Sequence, residues 1–553
     1  MKEVYIDIME RTLSAYSEER IRDYIQKVKT KGLTEHGFPR LTAGIGILIC
    51  HGRRTQLLDT FIQMMDICCE QMPKVKANND FTVREICCLL MLLQVKNIMD
   101  KALLDKWRDQ ISKFDPWKNY TCVAKSPDTP VNNWAAFSGV SEFFRGLCCG
   151  IDTEKFVDWQ ISSQLLSFDE NGMYKDPHNP MVYDGVARLL MCLLLKFGYN
   201  GKLKGQIEEN LNKSADLTAK MQSVTGEIPF GGRSAQFLNN EMQFACLCEY
   251  YAGKFAAEGD KEKAGEFKAA ARLTQQALLY WLDFKPVSHI KNKYGIDSGI
   301  GCEGYGYFNK YMITVASFAY AAYLLADDSV PPTAAVAEKG GFAAKTSDDF
   351  HKIFLNCGGY FAEIDTDADF HYDANGLGRI HKKGCHSTVC LSVPFPGKEP
   401  SYTLENENPR PMSLCCFAER QGETLYGSCD NAVYTLINTK ESPNEVVAEI
   451  DCALSTDVVI KQTYKLSSGG VEISLEGQDC GFMLPVFDFD GLNYTDIMVD
   501  KDGITVKYRD SLCRYSFDGE INPNYEVYHN RNGRYKVFKV KTKKLKVTLE
   551  NTK

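Results

Sequence analysis

Four stretches of this 553-residue chain concentrate side chains that handle protons and sugars. Asp128-Thr-Pro-Val-Asn132-Asn133-Trp134 sets two amides and an indole at the start of a helical apolar pattern. A second stretch runs from Asp169 through Asp176, His178, Asn179 and Pro180 to Tyr183 and Asp184, then enters the apolar run Val186-Ala-Arg-Leu-Leu-Met-Cys-Leu-Leu-Leu. Pro180 suits a first helical position and Asn179 its cap, which puts Tyr183 on the first turn and His178 just outside it. The third, Glu227-Ile-Pro-Phe-Gly-Gly-Arg233-Ser234-Ala-Gln236-Phe-Leu-Asn239-Asn240-Glu241, turns on two glycines and sets a guanidinium beside Ser234 as a cap. Such an arginine is a good carboxylate receptor, although one tied to a neighbouring Glu reads identically. The fourth, Glu303-Gly-Tyr305-Gly-Tyr307, offers two phenols that stack on a sugar face or pack the interior.

Together these loops supply amides, phenols, an imidazole and a guanidinium. They lack a metal-ligand cluster, a phosphate-gripping Gly-Lys-Ser/Thr loop and a Gly-x-Ser-x-Gly elbow. The set suits proton abstraction next to a carboxylate, as in β-elimination from a uronate. That reaction needs the carboxylate neutralised, a base at C5 and an acid at the leaving oxygen. Asn133 and Arg233 fit the first task, His178 or Tyr183 the second and Tyr183 the third. Asn132, Trp134, Asn179, Gln236, Asn240, Tyr305 and Tyr307 are then substrate-binding candidates. A glycoside hydrolase would instead need two opposed carboxylates, for which Asp176, Asp184, Glu227, Glu241 and Glu303 are the candidates. A third reading is a carbohydrate-binding protein without turnover.

The elements that must position these loops fall into two halves. Up to about 328 the apolar residues recur with helical spacing. Helices that follow a loop are expected near Leu41, Thr82, Asn133, Pro180, Ala235 and Phe308, with partners near 3–28, 55–72, 100–113, 154–167, 203–222 and 259–284. Six antiparallel pairs close into an (α/α)6-type toroid, and the N-terminal loops of the inner helices then crowd one rim. A Pro/Gly/Ala-rich connector, 329–348, marks the boundary. From 349 to 553, short alternating runs around Tyr360, Thr388, Val446, Val458 and Val471 predict an antiparallel β-sandwich. The fold class is therefore multidomain α+β.

A net charge of −8 without a long basic run excludes a nucleic-acid partner, and the Lys-rich 541–546 tail alternates like a solvated edge strand. No stretch reaches the length of a membrane span, and the N-terminus lacks the features of a secretory signal. The 21 cysteines lie in apolar patterns and read as reduced residues of a cytoplasmic protein. No cofactor is expected, and the partner is an acidic oligosaccharide or glycoside; a homodimer is compatible with the chain. His36, His51, His289, His351 and His529 read as surface or hydrogen-bonded residues. His371, His381 and His386 lack the tight spacing of a metal site.

The chain resembles the heparinase II/III-like polysaccharide lyases, whose helical toroid precedes an antiparallel sandwich. Asn132-Asn133-Trp134 is similar to that family's Asn-containing helix start, which implies that Asn133 engages the substrate carboxylate. Asn171-Gly-Met-Tyr followed by Tyr183 is similar to its tyrosine segment, which implies that Tyr183 is catalytic. Gly378-Arg-Ile-His381-Lys-Lys-Gly-Cys-His386-Ser is similar to its His-rich strand entry, which implies that His386 points back to the cleft. The His-x-His-x-Asp-like pattern itself is not intact. Asn133-Trp134, the stretch from His178 to Tyr183, the stretch from Pro229 to Ser234 and the strand after Lys383 also resemble a bacterial toroid-plus-sandwich family that includes exo-glucuronidases.

Overall fold

The structure, a computed structural model, describes residues 2–405 and 409–553. Its helical half holds six inner helices, Gly37–Cys50, Val83–Lys96, Trp134–Cys149, Met181–Lys196, Asn239–Ala257 and Phe308–Leu325. Each touches the next, and the last returns to the first, so the ring closes. Outer helices Leu58–Gln71, Lys101–Ser112, Glu154–Leu165, Lys204–Met221 and Lys261–Asp283 alternate with them, and Glu3–Leu13 with Glu18–Lys31 completes the set.

Composition explains which helix goes where. Gly37–Cys50 is buried at every position, as a helix that is apolar all round must be. Lys204–Met221 buries one stripe through Ile207, Leu211, Ala215 and Thr218 and exposes Glu209, Lys213 and Asp216. Each fully buried Leu or Ile contributes roughly 1.5–3 kcal/mol, so the ring is held chiefly by its inner surface. Arg188, buried in the Met181–Lys196 helix, is neutralised by Asp184 one turn earlier.

The connector at 329–348 is itself ordered. It contains a short helix, Val336–Lys339, and the first strand, Phe342–Lys345. That strand pairs in sequence order with Lys352–Cys357, Tyr360–Asp365 and Gly376–Lys382 in a four-stranded antiparallel sheet. An eight-stranded and a five-stranded antiparallel sheet follow, and one apolar core draws residues from all three. The first sheet is buried on both faces. Ile353, Leu355 and Ile364 join that core, while Phe354 and Phe361 pack on Met173, Met181, Met221 and Val224 of the helical half.

Two expected strands differ. Residues 388–393 form no strand, although they are buried. Side chains take over the pairing there, with Arg379 donating to the Ser392 carbonyl at 3.0 Å and His381 bonded to Ser392 Oγ at 2.9 Å. Residues 541–546 are no sheet edge either. Strand Lys544–Asn551 pairs with Gly470–Glu476 on one side and Ser511–Phe517 on the other, and its alternation reflects one solvated face.

Candidate functional site

The loops that precede the inner helices surround a cavity of about 330 Å3. Asn132, Asn133, Trp134, Asp176, Tyr183, Arg233, Ser234, Asn240 and Tyr305 all line it, although their loops are far apart in sequence. A wider groove of about 720 Å3 crosses the eight-stranded sheet between Lys465 and Lys546. It gathers mixed surface charge and no comparable set of amides and phenols, so the chemistry is sought at the ring mouth.

Tyr183 sits in the first turn of the Met181–Lys196 helix. Its hydroxyl lies 2.9 Å from Ser234 Oγ, which lies 3.0 Å from the Tyr305 hydroxyl. Three hydroxyls therefore form one chain along the wall. The Arg233 guanidinium stacks 4.7 Å from the centroid of the Tyr183 ring, donates to the Pro177 carbonyl and pairs with Asp176. Asp176 also accepts from the Asn133 backbone N–H at 2.7 Å. Burial pushes its carboxyl upward, against Arg233 and Asn133. Arg233 thus spends its charge on a carboxylate of the protein, which corrects its expected role as a free receptor.

Backbone geometry forces this arrangement. Gly232 has φ +72°, and a Cβ there would meet Pro180 at 2.7 Å, so the loop closes on the preceding one only with glycine. Ser234 is also left-handed and caps no helix, because the Asn239–Ala257 helix begins five residues later. Its backbone N–H donates to Glu303 at 2.6 Å. Asn240 Nδ2 holds the Ser234 carbonyl at 2.9 Å.

The other candidates stand outside the cavity. Glu227 and Glu241 both bind buried Lys291 at 2.7 Å, and Trp281 donates to Glu227 at 3.1 Å. Burial alone would raise Glu227, yet Lys291, His381 and Arg379 hold it well below the carboxylate range, while burial raises Glu241. Glu303 pairs with Arg531 of the sheet half at 2.6 Å. Asp184 belongs to Arg188. These four carboxylates, read as hydrolase acids in the sequence, thus lie outside this cavity, each tied to a cation of the protein.

His178 is exposed with φ +66°, outside the lining. Asn179 is no cap; its amide donates to the Asp349 carbonyl at 3.0 Å, and Pro180 precedes the helix as N-cap. Gln236 is buried against Asn532. Tyr307, 57% exposed, lies against Lys310 beyond the cavity. His386 is boxed by Tyr280, Trp281, Phe284 and Tyr508, and burial lowers it to about 3, so it does not reach the cleft. His381 is held between Ser223 and Ser392, and His371 bonds Asp369 on the surface. Among the described residues, no group of three or more His, Cys, Asp or Glu side chains is placed to hold a metal.

Sequence reasoning missed part of the lining. His36, Arg40, Asn78, Phe81, Gln243, Lys310 and Tyr311 also line the cavity. His36 and Arg40 are one helical turn apart, as are Asn239 and Gln243; that i, i+4 repeat of polar residues at helix starts was the available signal. Five lining residues keep a buried polar atom without a hydrogen-bond partner: His36 Nδ1, Arg40 Nη2, Asn133 Oδ1, Asn239 Oδ1 and Gln243 Oε1. Such atoms are costly unless something meets them.

No family model matches this chain, nor does any curated protein. Solved structures do. The heparan sulfate lyase HepC from Pedobacter heparinus is 10% identical over 86% of this chain and 78% of its own, with a TM-score of 0.41. A heparinase III is 10% identical over 99% and 92%, with a TM-score of 0.37. A GH127 β-L-arabinofuranosidase from Geobacillus stearothermophilus T6 is 9% identical over 100% and 98%, with a TM-score of 0.36. Identity this low bears on architecture alone, and TM-scores below 0.5 are too loose to equate site residues.

Proposed function

We propose that this protein is a carbohydrate-active enzyme that cleaves uronate-containing oligosaccharides by β-elimination in the cavity at the ring mouth. The observation that carries the reading is the hydroxyl chain Tyr183–Ser234–Tyr305, set beside a single lining carboxylate already paired with Arg233. A two-carboxylate hydrolase needs a second, opposed acid. Among the described lining residues there is none.

In the proposed step, the Tyr183 phenolate oxygen takes the C5 proton. The C–H electron pair becomes the C4–C5 double bond, the C4–O bond breaks, and a phenol of the chain protonates the leaving oxygen. The Arg233 guanidinium over the Tyr183 ring, itself bonded to the Pro177 carbonyl, holds that ring in place. Ser234 passes the proton between the two phenols. Trp134 and Tyr305 give the sugar its flat contacts.

A panel of uronate-ended disaccharides, read by ultraviolet absorbance and mass, tests this. Elimination raises the absorbance and leaves the summed fragment mass unchanged. Hydrolysis adds one water with flat absorbance, and would move the role of acid to Asp176, whose carboxyl burial already raises.

A further inference from the structure

The cations that line the cavity differ in how they are paired. Arg233 is matched by Asp176. The first and last inner helices are neighbours and bring Arg40 and Lys310 to the same lining. Arg40 is buried, with Nε 3.0 Å from Glu85 and Nη1 2.6 Å from Thr314 Oγ1. Its Nη2 has no partner. Glu85 is shared, since Arg84 binds the same oxygen at 3.2 Å and Ser317 donates to it as well. Lys310 has no carboxylate partner among the described residues; its ammonium lies 4.9 Å from the Tyr307 ring centroid. Glu35, the nearest acidic residue in sequence to His36, is engaged by Tyr24 and by the Gly37 N–H at 2.7 Å. One carboxylate thus serves Arg40 and Arg84 together, and Lys310 adds a second lining cation.

His36 fits the same picture. Its Nδ1 is unpaired, and burial, then Arg40 and Lys310, lower its pKa far enough to keep it neutral. A lining that keeps these cations while holding its imidazole uncharged is short of an anion.

We propose that Arg40 and Lys310, and not Arg233, form the receptor for the substrate's carboxylate, so that the first and last inner helices hold the sugar's charged group. This rests on the uronate reading above and adds the orientation of the sugar. An ammonium and a free guanidinium N–H converging on one carboxylate are worth at least about tenfold in affinity.

The test uses D-glucuronate, which carries only a hydroxyl at C4 and no glycosidic leaving group, and D-glucose as its neutral counterpart, each titrated calorimetrically into the full chain. Wild type is expected to prefer glucuronate by at least about tenfold. Lys310→Met should remove most of that preference, and Lys310→Arg should restore it, which excludes misfolding as the cause. The double variant Arg233→Gln/Asp176→Asn removes a cancelling pair and should keep the preference. A Lys310→Met protein that still prefers glucuronate, or a double variant that does not, overturns this receptor while leaving the elimination reading to its own absorbance test. A wild type indifferent to the carboxylate sinks both.

Discussion

Two regions of this molecule bury charge, and they treat it differently. Along the seam between ring and sheets, most buried charges meet an opposite: Glu303 with Arg531, Lys291 with Glu227 and Glu241, Glu363 with Arg379, Lys352 with Asp365. At the ring mouth Arg40 shares its carboxylate with Arg84, and Lys310 has no carboxylate partner among the described residues. The seam resembles a set of struts: Arg531 reaches from the sheets to the carboxylate that holds the Ser234 N–H. The mouth is the region left incomplete. Buried charge in itself therefore does not mark chemistry.

The contrast breaks most sharply at Tyr183. Tyr183→Phe removes one hydroxyl from the mouth and no ion pair, so kcat/KM on a uronate-ended disaccharide should fall about 10²–10⁴-fold with the melting transition unchanged. An activity loss below about threefold would deny Tyr183 its role as acid or base. At the seam the order reverses. Arg531→Met strands Glu303 in the interior and should lower unfolding free energy by about 3–5 kcal/mol in a denaturant titration. Activity should fall too, because Ser234 loses its anchor. Smaller again is Tyr305→Phe, which shortens the hydroxyl chain but leaves Tyr183 bonded to Ser234, and should cost about tenfold in kcat with little change in KM.

Much of the architecture was legible, because inner and outer helices differ in how far around their circumference the apolar residues extend. The six loop-led helices and the closing ring follow from that pattern, and the clustering of Asn133, Tyr183 and Arg233 follows from the ring. What was hidden depends on partners distant in sequence. Arg233 meets Asp176 across 57 positions and Arg531 meets Glu303 across 228, so a free receptor and a strut look alike in the chain. His386 read as a cleft residue by resemblance to a His-rich strand entry, and the aromatic box that encloses it comes from the separate segments around Trp281 and Tyr508. His36 and Arg40 were passed over because a wholly buried helix gives no amphipathic contrast to mark its polar first turn.

The mildest test of the comparison is pH, and it concerns the seam. Glu363 is fully buried between strands, and burial pushes its carboxyl up to about 7 despite Arg379 at 3.0 Å and Lys352 at 3.9 Å. Asp373, which accepts from the Gly232 N–H at 2.6 Å, is likewise pushed to about 6. Both bind protons more tightly in the folded chain than in the unfolded one. Their contribution is therefore complete below the ordinary carboxylate range and lost as pH rises through about 6 and 7. Asp365 acts oppositely: burial opposes its charge, but His351 and Lys352 hold it near 2, so its contribution exists above the ordinary carboxylate range and fades as pH falls towards 2. Histidines buried in the neutral form, His36 and His386 among them, give the opposite slope below the ordinary histidine range. What should decline from pH 5 to pH 8 is therefore a difference: the denaturant midpoint of wild type minus that of Glu363→Gln, which keeps the shape but cannot ionise. The same substitution leaves every side chain lining the mouth in place, so the preference for glucuronate over glucose should not move. If it moves with stability, seam and mouth form one electrostatic unit and the division between them fails.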